Sequence, residues 1–135
     1  MKQLLFITLF FLSINAKSQN HIKDQIIGSW KVENSTIKST DKNMLEMARS
    51  FKNAIFSFRE NRDFIVTSKE KNRVINMLIS SLNNEKWLFD ERDKKFKIGT
   101  DKDHYTIMSI AVRVENNKAY FKIDEAELNL ELVKI

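Results

Sequence analysis

Three features of this sequence predict a mainly β protein: an eight-stranded antiparallel up-and-down barrel with one or two helices. Apolar and polar residues alternate in many short runs, as half-buried strands require. Compact clusters rich in Asn and Asp separate the runs, and these residues tolerate the left-handed conformations of tight hairpin turns, so many reversals need little glycine. The chain has no proline and no Gly/Ser linker to mark a second domain. Closing the sheet removes the edges that an open sheet would leave exposed.

The chain opens on MKQLLFITLFFLSINAKSQN. Lys2 precedes a run from Leu4 to Leu12 that is apolar apart from Thr8, followed by small residues at Ala16 and Ser18. This reads as a secretory signal peptide over 1–18, cleaved after Ser18, with one domain over 19–135 exported to the periplasm or beyond the cell. The run is too short for a membrane span, which needs ~20 apolar residues.

The first strand is read over Gly28 to Glu33. A helix follows over Asp41 to Lys52, where Met44, Ala48 and Phe51 recur at helical spacing. Phe56 and Phe58 mark the second strand, Glu60 to Asp63 a turn, and Phe64 and Val66 the third strand. From Arg73 to Leu82 the stripe Val74, Leu78, Leu82 favours a helix, although Ile75, Met77 and Ile79 also fit strand alternation. Trp87 and Phe89, then Phe96 and Ile98, form a hairpin across the polar turn Glu91 to Lys94. The long run His104 to Val114 changes phase near Ser109, where a bend or bulge is expected. Asn116-Asn117 turns the chain into Ala119, Phe121 and Ile123, and Leu128, Leu130 and Leu132 close the set.

Several chemistries lack the residues they need. Without cysteine the chain can form neither disulfides nor thiolate metal sites, so its core alone must hold it. The formal charge of +5 falls to +3 once Lys2 and Lys17 leave with the signal. The remaining cations are interspersed with acids, as in Arg92-Asp93-Lys94-Lys95, which reads as a solvated surface and not a nucleic-acid footprint. His21 and His104 are not framed for a nucleophilic triad, and Gly28 and Gly99 lie too far apart to cradle phosphate. In Gly99 to His104 two carboxylates and an imidazole share one loop, but a calcium site wants six or more oxygen ligands. Asp124, Glu125 and Glu127 could act as acid and base, yet at a strand boundary they read as turn residues. The expectation is a non-enzyme without cofactor or metal.

The stretch Gly28-Ser29-Trp30, led in by Ile26-Ile27, resembles the GxW signature of lipocalins and of smaller bacterial lipocalin-like domains. The pattern Phe56-x-Phe58, Asp63-Phe64, Lys86-Trp87-Leu88-Phe89 and Lys95-Phe96-Lys97-Ile98, closed by Leu128 to Leu132, is similar to the hairpin order of those domains. The resemblance implies a barrel floor closed by a short helical turn, with Trp30 packed across it and Gly28 allowing close backbone approach. The family's T-D-Y/W motif has no counterpart near Asn116-Asn117. The arginine that covers the family's tryptophan is also missing, which leaves Lys134 or Arg113 for that place. A barrel of this kind is expected to bind a small apolar or amphipathic ligand lined by Phe56, Phe58, Phe64, Trp87, Phe89, Phe96 and Phe121. The alternative is a filled barrel that meets another protein through its helix or loops. Eight strands enclose about the space that side chains can fill, or can line around one small ligand. The spacing of residues along a strand leaves both open.

Overall fold

The computed structural model describes residues 22–70, 72–82 and 84–135; the signal expected over 1–18, and His21, lie outside the described residues. Eight strands form a closed barrel in which each pairs with the next and the last returns to the first. All eight ladders are antiparallel. In chain order the elements are α1 (Ile22–Ile26), β1 (Gly28–Ile37), α2 (Lys42–Ser50), β2 (Ile55–Phe58), β3 (Asp63–Thr67), α3 (Arg73–Leu82) and β4 (Glu85–Asp90). Then come β5 (Lys95–Gly99), β6 (Met108–Glu115), β7 (Lys118–Ile123), a 3-10 turn at Asp124–Ala126 and β8 (Leu128–Lys134). Up-and-down order sends successive connections to alternate ends. Helices α2 and α3, loop 100–107 and the 3-10 turn therefore share one end, opposite α1 and the three short hairpin turns.

The strands form where alternation predicts, because each buries one face: Phe56 and Phe58 on β2, Phe64 and Val66 on β3, Phe96 and Ile98 on β5, Leu128, Leu130 and Leu132 on β8. Strand β1 runs past the expected Glu33 to Ile37. Its register against β8 shifts between Val32 and Asn34, and one extra residue moves every later side chain to the opposite face, so the simple alternation read from sequence stops there. The run expected from His104 enters the sheet only at Met108. His104 and Tyr105 hold φ of 59° and 57°, a left-handed backbone that a strand does not accommodate. The phase change near Ser109 is thus the boundary between loop and strand.

Both expected helices are present. Asp41 caps α2 by accepting N–H bonds from Asn43 and Met44 at 2.8 and 3.3 Å, satisfying donors that the first turn leaves free. Asn72 accepts the Val74 N–H at 2.8 Å at the start of α3 and donates to the Ser50 hydroxyl at 2.9 Å, tying α3 to α2. The seams differ in length. Strands β1 and β8 pair from Trp30–Lys134 to Ile37–Leu128, whereas β3 and β4 pair only at Asp63–Lys86 and Phe64–Glu85, helped by a 2.9 Å bond from the Trp87 N–H to the Arg62 carbonyl. No helix among the described residues is long and apolar enough to cross a membrane.

Candidate functional site

At the floor, Trp30 is 1% exposed. Its indole N–H donates to the Ile26 carbonyl at 2.8 Å, a bond that pins α1 across the barrel end. The ammonium of Lys134, paired with Trp30 across the β1–β8 seam, lies 5.7 Å from the ring centroid, within cation–π range. Lys134 therefore covers the tryptophan, while Arg113 stands 4.3 Å over the Tyr120 ring. Gly28 has φ of +131°, and a Cβ there would meet Lys134 Cε at 3.2 Å. The position needs glycine for its backbone conformation and for the approach of a side chain.

The seven aromatic residues expected to line a ligand space form one connected set. Phe58 is the hub: its ring centroid lies 5.1 Å from that of Phe64, 5.9 Å from Trp87, 5.6 Å from Phe96 and 5.9 Å from Phe121, each pair edge to face. Phe56 meets Phe64 and Phe121 at 6.1 and 5.8 Å, and Phe89 meets Phe96 at 4.9 Å. Six of the seven are buried. Phe89 is half-buried, with the Lys23 ammonium 5.9 Å from its ring centroid. Edge-to-face pairs add ~0.5–1.5 kcal/mol each beyond area burial. At the helical end Phe51 stacks on Phe56 at 6.2 Å and 18°, and Ile75 and Leu82 of α3 are buried with it.

A hollow of about 190 Å³ opens between α2 and α3, lined by Met47, Phe51, Val74, Ile75, Met77 and Leu78 with Ser50 and Ser81. Val74 is 43% and Met77 61% exposed. Neither was among the residues expected to form a site, although the sequence carries the signal. Six of the ten residues of α3, RVINMLISSL, are large and apolar, more than one buried face can take, so some must face solvent. A second, shallow hollow of about 450 Å³ lies over β1, β6, β7 and β8, where Asn34, Arg113, Tyr120 and Glu131 contribute.

Asp103, Asp124 and Glu125 have structural partners. Asp103 accepts the Thr100 N–H at 2.9 Å, the Thr100 hydroxyl at 3.1 Å and the Tyr105 N–H at 2.9 Å; the Thr100 bonds, with the others, hold its pKa below the ordinary value. Asp124 pairs with Lys95 at 2.5 Å, Glu125 accepts the Ser109 N–H at 2.9 Å, and Glu127 ends the 3-10 turn at φ 50°. Glu85 is the exception: among the described residues its Oε2 is buried without a partner, and burial, then the charge of Asp103, pushes its pKa up. Among the described residues no group of three or more His, Asp or Glu is placed to hold a metal ion.

The chain matches no protein-family model, no curated protein and no solved structure.

Proposed function

We propose that this is an exported, non-catalytic, lipocalin-like protein that works from its outside, docking another protein on the helical end of a filled barrel. The observation that carries this reading is the distribution of apolar surface. The interior rings contact one another, Phe51 stacks on them from the helical end, and of the four exposed large apolar residues, Val74, Met77, Ile107 and Ile135, the first two line the hollow between the helices. Contiguous apolar surface that folding does not bury marks interaction sites. The lipocalin-like assignment rests on the closed eight-strand order together with Trp30 at the floor beneath Lys134. Export rests on the pattern of residues 1–18.

The test is a pair of measurements on protein recovered from the exporting cell. Intact mass under native conditions should equal the chain from Gln19 onward with nothing bound. A photo-crosslinking residue at Met77 should give a discrete adduct with one protein, which the same residue at Tyr120 does not give. A stoichiometric small molecule that leaves only on unfolding overturns the filled-barrel reading. A retained 1–18 segment overturns export.

A further inference from the structure

We infer that the surface between α2 and α3 accepts an acidic amphipathic segment of a protein, one apolar side chain entering the hollow while flanking carboxylates meet the surrounding cations; this rests on the docking reading above and adds the chemistry of the partner. The hollow, at about 190 Å³, is of a size to take one large apolar side chain, and a concave site between helices suits a single inserted anchor. Its concavity disfavours a lipid surface, since an interfacial helix offers a broad outward apolar face backed by lysine and arginine. The polar positions of α3 are instead uncharged after Arg73.

Charge then selects the partner. The two helical connections, 38–54 and 68–84, carry Lys38, Lys42, Arg49, Lys52, Lys69 and Arg73 among their described residues, against Asp41, Glu46 and Glu70. The Asp41 carboxylate is committed to capping α2. Elsewhere five of the fourteen described cations, Lys23, Lys86, Lys95, Lys97 and Arg113, sit in an ion pair. Among the described residues none of the six cations of the two helical connections does. Residues 1–21, Lys71 and Asn83 contain no acid that could supply the missing partner. Exposed Arg49 and Arg73 adjoin in sequence the lining residues Ser50 and Val74, while Glu46 adjoins Met47, so a cation borders the apolar hollow on each helix. Complementary potentials of this kind choose between partners and speed their encounter more than they add affinity.

The test titrates the isotope-labelled exported protein with three short helical peptides that share one leucine face and differ only in carrying Glu, Gln or Lys elsewhere, and with phosphatidylglycerol vesicles. The Glu peptide should shift the amide signals of α2 and α3, and its affinity should fall as salt rises. Arg49→Glu with Arg73→Glu should weaken it roughly tenfold, and Met77→Lys should remove it. Equal binding of the Gln or Lys peptide overturns the acidic partner while leaving protein docking at this end in place. Binding to vesicles with the Glu peptide silent, or signal changes confined to the aromatic interior, overturns the docking reading as well. Silence towards all four probes overturns the inference.

Discussion

Trp30 shows how much one side chain can hold when three chemistries meet on it: apolar burial, an indole N–H on the Ile26 carbonyl, and the Lys134 ammonium near its face. Trp30→Ala should cost ~3–5 kcal/mol through lost burial and the cavity left behind. Trp30→Phe should cost less but leave the Ile26 carbonyl without its donor; midpoints of denaturant unfolding rank the two, and iodide quenching of the parent should find this indole protected. At Gly28 the two possible causes of strain separate. The Lys134 tip can move aside, whereas φ of +131° is barely open to a residue with a Cβ. Gly28→Ala should therefore destabilise the fold, and Lys134→Ala should fail to rescue it. The Gly28 and Trp30 pair stood out in the sequence, because a glycine two places before a tryptophan at a strand start is a local pattern. Glu85 did not, since nothing near it in the chain reports that the fold hides one carboxylate oxygen beside Asp103. The two kinds of carboxylate act with opposite sign. Asp103, with its pKa lowered, contributes stability that is present above its unfolded pKa and is lost as pH falls through the folded one. Glu85, with its pKa raised, contributes stability that is present below its unfolded pKa and is lost as pH rises through the folded one. Glu85→Gln should thus raise the unfolding midpoint at neutral pH and leave it nearly unchanged in acid, as a pH series of thermal melts would report.

Among the elements, the helices and strands depart from the sequence reading where their surroundings and not their own pattern decide. Alternation placed β2, β3, β4, β5, β7 and β8 because each has a single buried face. It ended β1 early, since a bulge reverses parity without any special residue to announce it, and it began β6 early, since the Asp103-centred loop uses strand-like residues such as Tyr105 and Ile107. Helix α3 was placed correctly over Arg73–Leu82 despite its mixed pattern. That mixture was itself the sign of a helix with more apolar residues than its buried face accepts. The seams should not open together. With ladder pairs only at Asp63–Lys86 and Phe64–Glu85, the β3–β4 seam has few bonds to protect it, whereas β1–β8 is paired along most of β1. Hydrogen exchange should therefore release the amides of Phe64 and Trp87 well before those of Lys31 and Val133. Uniform protection around the barrel would contradict this order.

For the whole molecule, the barrel itself was readable because strand count, turn chemistry and the lack of domain punctuation agree, whereas whether its interior holds space was not. That depends on how rings from β2, β3, β4, β5 and β7 meet across the middle, a relation that no single segment encodes. Phe58 tests the packed centre: Phe58→Ala should cost ~3–5 kcal/mol and leave a dry apolar void able to take up xenon or benzene, which the parent chain should bind far less well. Far-UV circular dichroism of the parent should be dominated by strand signal. The closing seam also sets an order in time. The ribosome delivers β1 first and β8 last, yet β1 keeps one long flank unpaired until β8 arrives, so every partial chain carries a bare strand edge and an uncapped aromatic interior. The domain can complete itself only after its last strand is available. A version ending at Glu127 should remain unfolded or aggregate however long it is given, and a separate peptide of 128–135 supplied to it should restore the native dichroism.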